Sequence, residues 1–268
     1  MLLIRSVVFN TAFYANMILR MIVFAPYYFL ASRKAAFSVP KGWASSSNWL
    51  MGKIVGATFE IEGLENIPEG GCIFTPKHQS VWDTFALMPH YPDPVYILKR
   101  ELLWIPLFGW YLARQRMIPV NRGARGKVMV EVMKRTKEEM ASGRQLIIYP
   151  EGTRRTPGAE PDYRYGIARI YRDAKVPVVP VVAHWGLFWG RRKLVKYPGH
   201  FKVRILPAIQ PGMQPDAFYK HLIETLETAS DQLLIETVAA NPHLPLPPTA
   251  SKRLAELKAE QKTEQTSV

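Results

Sequence analysis

Cysteine is almost missing from this chain of 268 residues: Cys72 is the single one, so no intrachain disulfide can form. No Cys/His cluster has the spacing of a structural zinc site, and Cys72, inside an apolar strand, reads as a core residue rather than a nucleophile. Acidic residues are also scarce, 22 against 35 lysines and arginines, for a net charge of +13. That excess favours acidic partners: phosphates, anionic lipid headgroups, an acidic carrier protein or nucleic acid. Nucleic acid is disfavoured, because the basic residues are scattered and no nucleic-acid module is present. There is no internal repeat and no Gly-x-Ser-x-Gly elbow, which excludes a serine hydrolase of that design. A cleaved secretory signal is not expected either, since no small-residue cleavage site follows the N-terminal apolar run. A reducing, cytoplasm-facing setting fits these absences.

What is present begins with that run. Val7 to Ala31 is apolar and aromatic, interrupted by Asn10, Asn16 and Arg20, with Pro26 near its end. A spanning helix needs about 20 mainly apolar residues, but an arginine at the bilayer centre costs roughly 2.5 to 3.5 kcal/mol. A monotopic helix or a hairpin dipping into one leaflet is therefore a rival to a full span; a buried helix of a soluble core is a third reading. Arg33, Lys34, Lys41 and Lys53 follow, with Trp43 and Trp49 among them, as suits the headgroup layer.

From Thr58 short apolar strands alternate with helices. Strands are expected at Thr58–Glu62, from Cys72, at Val95–Leu98, Met117–Val120, Gln145–Tyr149, Val176–Val182 and Phe201–Leu206. Helices are expected over Lys127–Ser142, Tyr165–Lys175 and Asp216–Ala239, with a short helix or loop over Leu102–Ala113. Two prolines suggest that the Val176–Val182 strand starts irregularly or lies near a sheet edge. Pro242–Pro248 reads as a linker and Ser251–Val268 as a mobile helix or disordered tail. The expected organisation is a membrane-associated helical region over 1–57, an α/β domain over 58–240, and a proline-rich linker with a polar tail over 241–268. Its sheet should be mixed and mostly parallel, flanked by helices, with the N-terminal helical element embedded in the membrane.

Two strand ends carry chemistry. His78 and Asp83 stand five residues apart after the Cys72 strand. At about 100° per residue they would fall on different faces of one regular helix, so the backbone must change between them. Pro76 discourages continuation of the strand, and Ser80 can N-cap a helix starting at Val81. Asp83 in the first helical turn can then orient the His78 imidazole as a base. A plainer reading stands beside this: Ser80 and Asp83 also fit a capping box, with His78 merely a polar loop residue. The second strand end is Gln145–Tyr149, which runs into Pro150-Glu151-Gly152-Thr153-Arg154. Ligands gather beyond the carboxyl ends of strands in open α/β sheets, and here a carboxylate, a glycine and an arginine arrive together.

Taken together, four blocks resemble the glycerolipid acyltransferase family, in the family's order. His78-Gln79-Ser80-Val81-Trp82-Asp83 matches its His-x-x-x-x-Asp motif. Lys99 and Arg100 before Glu101–Pro106, followed by Val120-Asn121-Arg122, look like its second block. Glu151-Gly152-Thr153-Arg154 matches the third, and Val176–Pro180 the fourth, proline-containing one. The resemblance runs from about Gly63 to Pro207. Lys77 departs from a frequent asparagine, and Asn121 from a frequent acidic residue. Chain size and the short N-terminal element look like the bacterial sn-2 acylating branch.

The resemblance implies acyl transfer from acyl-CoA or acyl carrier protein to lysophosphatidic acid, at the cytoplasmic face of a bacterial inner membrane. His78 and Asp83 would be catalytic, with His78 taking the acceptor's hydroxyl proton. Arg154, Arg122 and Lys99 would bind the phosphate, arginine by its bidentate fork. Glu151 would bond a glycerol hydroxyl or hold Arg154, Gly152 would allow close backbone approach, and Thr153 completes the motif. Val179 and Pro180 are acyl-pocket candidates. No metal or cofactor is required. Rival readings are another acceptor, such as a lyso-ornithine lipid or another lysophospholipid, and a non-enzymatic membrane-binding protein.

Overall fold

The computed structural model describes residues 1–120 and 127–266. Four helices come first: α1 (Leu2–Val23), α2 (Ala25–Leu30), α3 (Arg33–Ala36) and α4 (Ser38–Leu50), the last ending in a π turn, Met51–Val55. The chain then alternates through β1 (Ala57–Glu62), β2 (Cys72–Pro76), β3 (Pro94–Lys99), α5 (Phe108–Arg114), β4 (Ile118–Val120), α6 (Lys127–Ala141) and β5 (Gln145–Ile147). It continues with α7 (Gly166–Ala174), β6 (Val178–Ala183), a short α8 (Trp185–Phe188), β7 (Gly199–Ile205), α9 (Pro215–Ala240) and α10 (Pro248–Thr266).

The strands form one seven-stranded sheet in the order β1-β7-β6-β2-β5-β3-β4. All neighbours are parallel except β6 and β7. The sheet is thus mixed and mostly parallel, as the alternation of strands and helices implies. Parallel pairing brings the carboxyl ends of β2, β5, β3 and β4 to one edge, and both motif loops leave from it. β2 and β5 are direct neighbours, with Phe74 opposite Ile147. Their side chains are buried on both faces, as expected of a central parallel strand.

Of the two alternatives for β6, an irregular start or a place near an edge, the edge is excluded, for the strand lies between β2 and β7 and begins at Val178. Its two prolines are tolerated because alternate residues bond to opposite sides. Pro177, outside the strand, offers its carbonyl to Ile73, and Val181 offers its own to Lys77. Pro180 faces the other way, where pairing with β7 begins only at Val181, so its missing N–H removes no ladder bond.

α1 is the one helix among the described residues long and apolar enough to cross a bilayer. Several of its polar residues point inward: Asn16 donates to Ser46 and Ser47 on α4, Arg20 donates to Asn16, and the Arg5 Nε donates to the Ile54 carbonyl. Phe9 and Phe13 are buried on the same side, each worth about 1.5–3 kcal/mol of burial. Leu3, Val7, Val8, Leu19 and Ile22 face outward and are exposed. The tail, expected as a mobile helix or a disordered segment, is a helix, and it is docked on α9. Arg253 pairs with Asp231 at 2.6 Å, and Ala250, Leu254 and Leu257 are buried beneath it.

Candidate active site

The loop after β2 carries His78 and then makes a single 3₁₀ turn, Trp82–Thr84, shorter than the helix expected there. The Thr84 hydroxyl, donating to the Val81 carbonyl at 2.6 Å, closes that turn. Asp83 sits within it, buried, and uses its two carboxylate oxygens differently. Oδ1 lies 2.9 Å from His78 Nδ1, while Oδ2 accepts the N–H groups of Gln79 and Ser80, each at 2.7 Å. One aspartate thus makes the backbone contact of the capping reading and the histidine contact of the other. An ionised carboxylate only accepts, so Nδ1 carries the hydrogen and Nε2 is left as the basic nitrogen.

Tyr149, two residues beyond β5, fixes the imidazole plane. Its ring stacks on His78 at 4.0 Å between centroids, and its hydroxyl donates to the Asp83 carbonyl at 3.1 Å. Two further bonds fasten the His78 backbone to the second loop. Glu151 Oε2 accepts its N–H at 2.6 Å, and its carbonyl accepts from Arg155 N–H at 2.7 Å. These contacts follow from register, since His78 and Glu151 each lie four residues beyond the paired Phe74 and Ile147. Gly152 adopts φ +68°, a left-handed turn that favours glycine.

Under the loop lies a charged network. Lys77 Nζ reaches Glu227 on α9 at 2.6 Å and stands 3.9 Å from Glu151. Glu227 also accepts from the Tyr163 hydroxyl. Burial pushes the Glu151 carboxyl up to about 7, although Lys77 and the His78 N–H pull the other way. Burial holds His184 down at about 4, so it is neutral, its Nε2–H donating to the Ser230 carbonyl at 2.8 Å. A cavity of about 240 Å³ borders the loop, walled by Lys77, Gln79, Glu151, His184, Glu227 and Arg253 among others.

A histidine tethered through Nδ1, with no hydrogen bond at Nε2 among the described residues, beside an arginine-bearing loop can act as a general base toward an anionic substrate. The sequence profile of the Acyltransferase family matches residues 58–184, which contain both loops. The 1-acyl-sn-glycerol-3-phosphate acyltransferase of Pseudomonas aeruginosa is 33% identical over 201 residues, covering 75% of this chain and 77% of its own. This chain belongs to the 1-acyl-sn-glycerol-3-phosphate acyltransferase family. The enzyme of that name from Helicobacter pylori is 26% identical over 62% of this chain and 71% of its own. The fold matches a crystal structure of the 1-acyl-sn-glycerophosphate acyltransferase from Thermotoga maritima, with a TM-score of 0.71. The two are 20% identical, over 87% of this chain and 99% of that one.

The remaining expected site residues of this acyltransferase are placed unevenly. Arg154 forms no ion pair among the described residues, and its Nε is buried without a partner. An unpartnered buried donor is costly unless a ligand meets it. Thr153 lies half-buried beside it. Glu151 contacts Lys77 and the His78 backbone rather than Arg154. Lys99 is at the carboxyl end of β3, half-exposed and 3.0 Å from Glu101. Arg122 lies outside the described residues. Val179 and Pro180 are buried in the sheet, Val179 within the core. Tyr149, Lys77 and Glu227 escaped the sequence reading as parts of one site. The adjacency of Tyr149 to the Pro150–Arg154 loop was a usable signal; nothing in sequence links Lys77 to a residue 150 positions away.

Proposed function

We propose that this acyltransferase moves a fatty acyl group from acyl-CoA or acyl carrier protein to the sn-2 hydroxyl of lysophosphatidic acid, giving phosphatidic acid for phospholipid synthesis. The observation that carries the reading is the His78–Asp83 pair, Nδ1 to Oδ1 at 2.9 Å. In the reaction the acceptor oxygen attacks the thioester carbon while His78 Nε2 takes its proton. The tetrahedral intermediate then expels the thiolate, which takes that proton back and leaves as free thiol. Asp83 keeps Nδ1 protonated and stabilises the imidazolium formed in between. Base catalysis of this kind is worth about 10² to 10⁴-fold. The step uses no metal and no cofactor besides the donor thioester. Arg154, with its free buried Nε, is suited to hold the acceptor phosphate.

We place the enzyme on the cytoplasmic face of a bacterial inner membrane, lying in one leaflet. The polar face of α1 is occupied by α4 and the π turn, and only its outward face is left for lipid. Such a helix cannot be lipid-surrounded across a bilayer without leaving the domain.

The test is free-thiol release from acyl-CoA by wild type and His78→Ala, with and without lysophosphatidic acid. Release that depends on the acceptor, yields phosphatidic acid and disappears in the variant is the expected result. Undiminished turnover in His78→Ala would remove His78 from the chemistry. No release by folded wild type, with either donor, would favour a binding role.

A further inference from the structure

Four exposed residues, Arg191, Arg192, Lys193 and Leu194, form a projecting turn between α8 and β7. The turn is closed by the Lys193 N–H donating to the Gly190 carbonyl at 3.1 Å, and Arg192 takes a left-handed φ of +58°. None of its three cations pairs with a carboxylate among the described residues. Other surface cations are divided: Arg155, Arg164, Arg172, Lys202, Arg204 and Arg253 have acidic partners, whereas the Arg191–Lys193 turn sets three uncompensated cations side by side.

The position of the turn gives this charge a direction. On one side Arg191 Nη1 donates to the Arg154 carbonyl at 3.1 Å, joining the turn to the loop that bears the unpartnered arginine. On the other, the strand-ward end of the turn is fixed to α1. Lys196 N–H donates to Ser6 Oγ at 2.9 Å, and Trp189 meets Phe9 and Phe13 edge-on at 5.4 and 5.6 Å. Lys196 itself is buried over the Trp189 and Phe9 rings, at 4.5 and 5.5 Å, and so is not part of the exposed charge. Next to these contacts α1 presents Leu3, Val7 and Val8 to the outside, and Leu194, 52% exposed, adds an apolar side chain within the turn.

We propose that Arg191, Arg192 and Lys193 form a docking strip for the phosphate headgroups of net-anionic bilayer lipids, lying between the outward apolar face of α1 and Arg154. An apolar face bordered by cations is the order of groups met on leaving the acyl region for the headgroup layer. Bilayer phosphates are preferred as occupants over a soluble donor because the turn is joined to α1 and carries an exposed leucine. The inference rests on the one-leaflet reading of α1, and lipid binding without turnover tests it.

Wild type and R191Q/R192Q/K193Q are to be sedimented with vesicles of pure phosphatidylcholine and of phosphatidylcholine doped with phosphatidylglycerol. Wild type should bind the anionic vesicles more tightly, and added salt should weaken that preference. Neutralising three cations should lower binding to anionic vesicles by about a hundred-fold, leaving binding to phosphatidylcholine unchanged. R191K/R192K, which keeps the charge, should bind as wild type does and guards against misfolding. Equal binding by wild type and the neutral variant on anionic vesicles would overturn the strip, as would an equal loss on both vesicle types. A raised KM for acyl-CoA with vesicle binding intact would also overturn it, assigning the strip to the donor. Wild type that binds neither vesicle would instead overturn the membrane reading of α1.

Discussion

Lys77 on the loop after β2 and Glu227 on α9 meet at 2.6 Å, with 8% of the lysine side chain exposed. The same ammonium lies 3.9 Å from Glu151, so one cation faces two acids beneath the His78 backbone. Removing it would leave both acids uncompensated in a poorly solvated place. Lys77→Met is expected to lower unfolding stability by about 3 kcal/mol. Adding Glu227→Gln should recover part of the loss, and urea unfolding of the cycle reads the coupling. Strictly additive losses would show that the pair contributes nothing.

Glu151 predicts a pH dependence of stability. Burial raises its carboxyl from 4.5 unfolded to about 7 folded, so the folded protein binds more protons between those values. Its contribution is full below about pH 4.5 and is lost as pH rises to about 7. Glu151→Gln keeps an acceptor for the His78 N–H but cannot titrate. Stability of the variant should therefore fall less over this window, by on the order of 3 kcal/mol. Parallel profiles for the two proteins would contradict the assignment.

Asp83 serves the imidazole with one oxygen and two backbone donors with the other, and asparagine can supply only one accepting oxygen. Asp83→Asn should therefore lower kcat, on the order of 10²-fold, and also lower the unfolding midpoint. Steady-state kinetics and thermal unfolding check both; a variant with a normal kcat would leave Asp83 a capping residue only.

Arg154 should be read through the acceptor. With its Nε buried and unpartnered, Arg154→Ala is expected to raise KM for lysophosphatidic acid while KM for the donor stays put. The loss should be on the order of 1.5–3 kcal/mol, as for a hydrogen bond to a charged group. Arg154→Lys should restore charge without the bidentate fork and recover only part of it. Equal effects on both substrates would argue against a phosphate contact.

The strands and the helices α6, α7 and α9 were legible in the sequence because apolar periodicity and breakers such as Pro76 are local signals, whereas no separate helix was expected where α4 stands. The His78–Asp83 pair was legible for the same reason: strand, proline and cap all lie within a dozen residues. What could not be read is what the sheet order decides. The position of β6 inside the sheet depends on which flank Pro180 faces, and that is fixed only when β7 arrives on one side and β2 on the other. The partner of Lys77 sits 150 residues away on α9, and nothing in its own neighbourhood announces it. The tail looked polar because its apolar contacts are few, Ala250, Leu254 and Leu257 serving one docked face.

The register of β2 against β5 sets a rule for what this chain can tolerate in descent. Phe74 faces Ile147, and four residues after each come His78 and Glu151, which then meet backbone to carboxylate. His78 and Glu151 are 73 positions apart, and the turns between Asp83 and β5 can lengthen or shrink without changing that meeting. The short offsets beyond the paired residues are not. One residue gained between Pro76, where β2 ends, and His78 would leave the strand pairing and the motif letters intact, yet set the two loops out of step, and such a descendant would look like an acyltransferase without being equipped to act as one.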